Sequence, residues 1–262
     1  MRKGYVDTPM GQVHYREHGT GQPLVLLHQT AWASVQFKNA IPVLAERGLR
    51  VIALDTPGYG MSDGPASPPR IEDYADNLRH AFDGLGLKSA HIAAHHTGVS
   101  IGLSFAARYA DRVDRLALHG VPLYTPEERA VRLARPHFDQ TPLADGGHLQ
   151  QRFVKSREMS PGASLEAIHW STVLFFTAGP LEWYGHHAAF TYDSGADLLK
   201  LKAPTLIMSN TGDSLHNVVE RIQKIRPDFS YAIMDGGTYH LVYDEGAAWA
   251  KIVADFVLES KA

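Results

Sequence analysis

Short apolar runs alternate with amphipathic stretches through the first half of the chain. Four compact apolar runs are typical of strands that are buried on both faces of a parallel sheet. They lie at residues 24–27, 51–54, 91–94 and 115–118. The segments between them have helical spacing of apolar residues, around 35–46, 71–85 and 99–110. This alternation predicts an α/β fold, a mostly parallel central sheet with helices on both faces.

The alternation stops over residues 121–198, which contain no strand-like run and are rich in aromatic and histidine residues. We interpret this stretch as an inserted helical cap. The earlier pattern then resumes, with strands at 205–208 and 231–234 and a last helix over 245–258. We therefore expect a core formed by residues 1–120 and 199–262, and a cap formed by residues 121–198.

Composition narrows the functional classes. The 262 residues are 44% hydrophobic, enough for one sizeable core, and the net charge of −3 gives no electrostatic case for nucleic acid or an anionic membrane. Cysteine is absent, which is compatible with a reducing cytoplasm. No apolar run has the length of a signal peptide or a membrane span. We expect a soluble, cytoplasmic protein whose partner is a small-molecule substrate, and a homodimer is compatible with this composition.

A strand runs into a tight turn and then a helix at residues 91–98. His96 has the small residues Ala94 and Gly98 two positions before and after it, which is the steric requirement of a nucleophile elbow. Serine usually occupies the centre of that turn. The five residues from Gly98 also match G-x-S-x-G by letter, but Ser100 would lie about one turn inside the helix. We therefore predict His96 at the elbow and treat Ser100 as the less favoured alternative.

Several motifs together resemble the α/β-hydrolase superfamily. The stretch 90–113 is similar to its elbow, following helix and Pro-Asp/Glu-Arg-Val segment, and Asp55 begins a D-x-P-G-x-G-x-S loop. The sequence Leu-Leu-His-Gln-Thr at 26–30 resembles the oxyanion-hole loop, with glutamine where glycine is usual. The His-Gln-Thr and His-His-Thr-Gly motifs also resemble a bacterial subgroup of hydrolases with histidine in place of the elbow serine. The resemblance extends over the chain outside the cap.

The resemblance implies a catalytic group. Gly-Asp at 212–213 is similar to the acid loop of the family, and Gly-Thr-Tyr-His at 237–240 to its catalytic-histidine loop. His96, Asp213 and His240 follow the chain order of this fold and are expected to converge at the carboxyl ends of the strands. By analogy with the serine triad, Asp213 is expected to hold the ring of His240. The backbone N–H groups of Thr30 and Thr97 are expected to form an oxyanion hole.

Residues near this group are candidates for substrate binding. Trp32 lies just beyond the oxyanion loop, and Gln29 has a side-chain amide close to the hole. Trp170 and Trp183 belong to the cap, which closes over the elbow in this fold. Two pairs of adjacent histidines do not indicate a metal site, because neighbours rarely face one ion and no H-E-x-x-H spacing is present. We predict neither a metal nor a cofactor.

An imidazole at the elbow leaves three functions open. His96 could attack a carbonyl carbon or deprotonate a water, in a cofactor-free hydrolase of a small apolar ester, lactone or related carbonyl compound. His96 and His240 could instead be the acid and base of a cofactor-free lyase. Alternatively, His96 is merely a packed histidine in a small-molecule binding protein without turnover. We expect the hydrolase, partly because the superfamily favours that reaction.

Overall fold

Eight strands pair into one sheet within residues 1–259, the part of the chain described by this computed structural model. The strands are β1 (Arg2–Thr8), β2 (Gly11–His18), β3 (Gln22–Leu27), β4 (Leu49–Leu54), β5 (Ala90–His95), β6 (Val113–His119), β7 (Thr205–Asn210) and β8 (Ser230–Met234). Their order in the sheet is β1-β2-β4-β3-β5-β6-β7-β8. The hairpin β1–β2 and the pair β2–β4 are antiparallel, and all other pairs are parallel.

The apolar runs found in the sequence coincide with the central strands. Every residue of β5 is buried, as is every residue of β7, because helices cover both faces of the sheet. The predicted fold class, a mostly parallel sheet flanked by helices, is confirmed.

Eleven α-helices are present among residues 1–259. They are α1 (Ile41–Glu46), α2 (Ile71–Gly84), α3 (Thr97–Arg108), α4 (Pro126–Leu133), α5 (Gly147–Met159), α6 (Leu165–Ala178), α7 (Glu182–Thr191), α8 (Ser194–Leu198), α9 (Val219–Ile225), α10 (Leu241–Asp244) and α11 (Gly246–Leu258). The helix expected over 35–46 is divided into a 3₁₀ turn, Ser34–Phe37, and α1. Pro42 explains the break, because proline suits the first turn of a helix and cannot donate a hydrogen bond in its interior.

Alternate residues of β3 face opposite sides of the sheet. Val25 and Leu27 belong to the core cluster that contains residues of α2 and α3, where the rings of Phe82 and Phe105 lie 4.8 Å apart. Leu24 and Leu26 belong to the opposite cluster, with residues of α1 and α11. The period of two that defines a strand therefore divides the core into two layers.

Helices α4 to α8 lie between β6 and β7, in the stretch where the sequence predicted a cap. They contact the loops that follow the central strands. The backbone N–H of Gly185 on α7 donates to the hydroxyl of Tyr59 at 2.7 Å, and Leu174 of α6 packs in a cluster with Trp32 and Tyr243. None of the helices in residues 1–259 has both the length and the apolar character needed to cross a bilayer.

Candidate active site

The turn between β5 and α3 carries His96 in a strained backbone conformation. Its φ of 48° and ψ of −112° make it the only non-glycine residue with positive φ in the described part of the chain. Two residues later, a Cβ on Gly98 would lie 2.4 Å from the carbonyl oxygen of Leu27, so α3 approaches β3 too closely for any larger residue. This is the geometry that the small flanking residues predicted. Ser100 is fully buried inside α3.

The ring of His96 reaches the acid loop directly. Its Nε2 lies 2.5 Å from Oδ2 of Asp213, and Oδ1 of Asp213 accepts the N–H of Leu215 at 2.8 Å. Burial alone would raise the pKa of Asp213, but the nearby His96 and these hydrogen bonds lower that pKa to about 2. Asp213 is therefore an ionised carboxylate near neutral pH, paired with the imidazole at the elbow.

The expected hydrogen bond between Asp213 and His240 is not formed. Neither ring nitrogen of His240 has a hydrogen-bond partner among residues 1–259. The physical reason is side-chain length, because the imidazole of His96 extends farther from the backbone than a serine hydroxyl would and itself meets the carboxylate. His240 is instead fully buried, with its ring centroid 5.5 Å from that of Trp32 and 4.1 Å from that of Tyr239.

The environment of His240 keeps its ring neutral. Burial lowers its pKa to about 3, with further contributions from His96 and Arg152. The position of His240 at the start of α10 agrees with the loop that the sequence indicated, but its electrostatics differ from those of a histidine oriented by a carboxylate.

Gly120, directly after β6, has no side chain and so leaves room for the His96 ring. A Cβ at this position would lie 2.3 Å from Cδ2 and 2.6 Å from Nε2 of His96. The φ of Gly120 is +69°, which also favours glycine. The glycine therefore permits the ring to lie between the elbow and Asp213.

Gly120→Ala is expected to lower the catalytic activity about 10- to 100-fold, because the new methyl group displaces the His96 ring from Asp213. Gly86→Ala is the matched control, since Gly86 has the same φ of +69° with no atom within 4 Å of its Cβ position. Both variants should lose similar stability from backbone strain, about 1 kcal/mol. Activity and urea unfolding of the two variants separate the effects, and equal activity in both would show that Gly120 does not position the ring.

Two further buried histidines, His95 and His119, surround the elbow, and the sequence did not indicate either of them as a site residue. The ring of His95 lies 4.3 Å from that of His96, and its Nδ1 lies 2.5 Å from Nε2 of Gln36. His119 bonds Oδ1 of Asn210 through Nε2 at 3.0 Å. Both are polar residues at the carboxyl ends of apolar strands, the signal that could have indicated them.

His95, His96 and Asp213 each offer a possible metal-ligand atom, and these atoms lie within 4.8 Å of one another. The hydrogen bonds do not fit a metal. Oε1 of Gln36 accepts the backbone N–H of Gln29 at 3.0 Å, so the amide N–H₂ of Gln36 must face Nδ1 of His95. A neutral His95 ring then carries its proton on Nε2 and has no lone pair left for an ion.

A cleft of about 190 Å³ opens at His96. Gln29, Thr30 and Thr97 line it beside the elbow, and Thr97 is the first residue of α3, so its N–H has no acceptor within the helix. Sequence reasoning missed the other eleven lining residues, which include Tyr124, Arg132, Arg135 and Tyr239.

The three tryptophans expected to bind substrate do not line this cleft. Trp32 is 2% exposed and packs against Tyr243, with ring centroids 5.2 Å apart. Trp170 packs against the same cluster, and Trp183 contacts His137, with ring centroids 5.5 Å apart. Packing within residues 121–198 and beneath them, rather than contact with the cleft, accounts for these aromatic side chains.

A strained turn after a central parallel strand, with an acid on the loop after β7 and a histidine after β8, defines a site of the α/β-hydrolase type. Residues 22–159 match the Abhydrolase_1 family, described as the alpha/beta hydrolase fold. The chain belongs to this family.

The proteins that are similar to this chain are named for different reactions. A haloalkane dehalogenase of Mycobacterium marinum is 36% identical over 154 residues, which cover 55% of this chain and 50% of that protein. A 2-hydroxy-6-oxononadienedioate/2-hydroxy-6-oxononatrienedioate hydrolase of Burkholderia vietnamiensis is 37% identical over 116 residues, 42% of this chain and 40% of that protein. The chain thus spans half or less of the length of these two relatives. An enol-lactonase from Burkholderia xenovorans LB400 shares the fold, with a TM-score of 0.82 at 20% identity, over 98% of this chain and 100% of that one.

Proposed function

We propose that the protein is a cofactor-free hydrolase of a small ester, lactone or related carbonyl compound, and that His96 and Asp213 form its reactive pair. The observation that carries this proposal is the 2.5 Å contact between Nε2 of His96 and the ionised Asp213, at an elbow that lines a cleft. Nδ1 of His96 makes no hydrogen bond with residues 1–259 and remains for the substrate. A carboxylate on one nitrogen stabilises the imidazolium that forms when the other nitrogen reacts.

Two routes use this geometry. In the first, Nδ1 attacks the carbonyl carbon, an N–C bond forms, and the carbonyl π electrons move to oxygen near the N–H groups of Thr30 and Thr97. Collapse breaks the C–O bond, the alkoxide takes a proton from water, and water then hydrolyses the acyl-imidazole. In the second route, Nδ1 takes a proton from the water that attacks, and the resulting imidazolium returns it to the leaving alkoxide.

We assign His240 a secondary part in both routes. Its neutral ring has two unpaired nitrogens, but it is fully buried and is not among the residues that line the cleft. It lies beside Tyr239 of the cleft wall, with ring centroids 4.1 Å apart, and can donate only to a water or leaving group that passes this wall. It lacks the carboxylate that would make it the principal base. The names of the relatives, a dehalogenase, a hydrolase and a lactonase, support hydrolysis over a lyase reaction. We further propose that the substrate is a small molecule, that no metal takes part and that the protein is cytoplasmic.

The test is a panel of para-nitrophenyl esters and lactones in isotopically labelled water. We expect label in the carboxylic acid product, activity retained in Ser100→Ala and activity lost in His96→Ala. Mass spectrometry after brief incubation with an activated ester separates the routes, since an acyl group on the His96 peptide supports covalent catalysis. Turnover of a substrate without label in the product would support the lyase, and tight binding without turnover would support a binding protein.

A further inference from the structure

The charged side chains that line the cleft at His96 are both arginines, and the ionised Asp213 that contacts His96 is itself fully buried. Fifteen residues line the cleft, and they include Arg132 and Arg135 but no aspartate or glutamate. The chain as a whole has a net charge of −3, so this positive lining is a local feature rather than a property of the whole surface. A cleft lined by one sign of charge concentrates ligands of the opposite sign.

Arg132 forms no ion pair among residues 1–259. Its guanidinium carbon lies 4.0 Å from the ring centroid of Tyr124, so the aromatic ring supports the side chain. Glu128 is one helical turn away on α4 and would be its usual partner. That carboxylate instead bonds Arg221 at 3.1 and 3.3 Å and the backbone N–H of Thr125 at 2.8 Å.

Arg135 follows the end of α4 and is exposed at the same wall of the cleft. It makes no ion pair within residues 1–259. Gly120 packs against the His96 ring. It is followed in the chain by Pro122 and Tyr124, which line the cleft, and then by these two arginines. Two unneutralised guanidinium groups therefore belong to the same wall as the reactive imidazole.

We infer that the substrate carries a carboxylate, which Arg132 and Arg135 bind while the reacting carbonyl lies at His96. This inference rests on the proposed hydrolase function and specifies its substrate class. Arginine binds a carboxylate through two parallel N–H···O bonds, so the pair fixes the orientation of the substrate as well as attracting it. Apolar lining residues such as Phe190 and Leu215 suit the carbon skeleton between the two ends. The substrate class is therefore a small acid with an ester or lactone group.

Binding can be tested without turnover, by calorimetric titration of the protein with adipate and with its neutral analogue adipamide. We expect adipate to bind the wild type, and the Arg132→Gln/Arg135→Gln double variant to bind it about tenfold or more weakly. Arg129→Gln is the matched control, since Arg129 is on the same helix, carries the same charge and contacts the carbonyl of Tyr192 outside the cleft. It should leave adipate binding unchanged. Equal adipate binding in the double variant and the wild type, or none in the wild type, would overturn the inference.

Two further measurements complete the test. Inorganic phosphate that displaces adipate with similar affinity would show a general anion site and contradict the assignment to carboxylates. For turnover, the KM of para-nitrophenyl hydrogen glutarate should rise about tenfold in the double variant, and by a larger factor than the KM of neutral para-nitrophenyl butyrate. Arg129→Gln should leave both KM values unchanged. Arginine-dependent binding of adipate without hydrolysis of either ester would refute the hydrolase and retain the carboxylate site. Hydrolysis of both esters with no dependence on the two arginines would refute the carboxylate site and retain the hydrolase.

Discussion

His96→Ala should lower kcat/KM for ester hydrolysis by about 10³-fold or more, because it removes the group that we propose attacks the carbonyl or activates water. Asp213→Asn should lower it about 10²-fold, since an amide cannot stabilise an imidazolium as a carboxylate does. The measurement is kcat/KM with a para-nitrophenyl ester near pH 7, and thermal unfolding shows whether each variant remains folded.

His240→Gln provides the decisive comparison. Because His240 is neutral and has no hydrogen bond to Asp213, its substitution should reduce kcat/KM by about tenfold, less than either change above. A loss as large as that of His96→Ala would favour a relay in which His240 is the principal base. A loss in Asp213→Asn no greater than in His240→Gln would remove the support for the pair of His96 with Asp213.

The free energy of unfolding should fall steeply as the pH decreases from about 6.5 to about 4. Burial is the first cause of a lowered pKa in four histidines of residues 1–259. The pKa falls to about 4 for His119, to about 3 for His240, well below the ordinary value for His95 and below that value for His28. The unfolded chain binds protons at these histidines near pH 6.5, whereas the native chain does not. Their contribution to stability is therefore complete above this pH and is lost as the pH falls toward their native pKa values.

Each of these histidines contributes a slope of up to about 1.4 kcal/mol per pH unit, so the four together give at most about 5.5 kcal/mol per unit. Since small domains have a free energy of unfolding of about 5–15 kcal/mol, we expect the protein to unfold at a pH well above the pKa of carboxyl groups. Urea unfolding at a series of pH values measures the slope. His119→Asn should reduce it by about one proton, and the exposed His169→Asn should not. A wild-type slope near zero in this range would contradict the assignment.

The sheet and the elbow could be predicted because their signals are local. Apolar runs indicate strands that are buried on both faces, and the small residues beside His96 indicate a turn that passes close to a neighbouring strand. The pairing of His96 with Asp213 could not be predicted in this way. It depends on how far a ring extends between two loops 117 residues apart, and on the absence of a side chain at Gly120.

Burial accounts for the other differences between sequence and structure. Trp32 follows the loop after β3 in the chain, but the arrangement of α6 and α10 determines that it packs rather than lines the cleft. Arg132 was not distinguishable from any helix-surface arginine in sequence, because the partner of Glu128 is on another element. Such contacts become visible only when distant segments are assembled.

The backbone at His96 has a further consequence for engineering. A non-glycine residue with φ of 48° stores about 1–3 kcal/mol of strain, which glycine at the same position would release. Glycine would also leave Asp213 without its imidazole partner, and a buried carboxylate without a partner costs about 3–5 kcal/mol, more than the strain released. The pair with Asp213 therefore holds the strained turn in place, and a screen for heat resistance alone would retain this histidine.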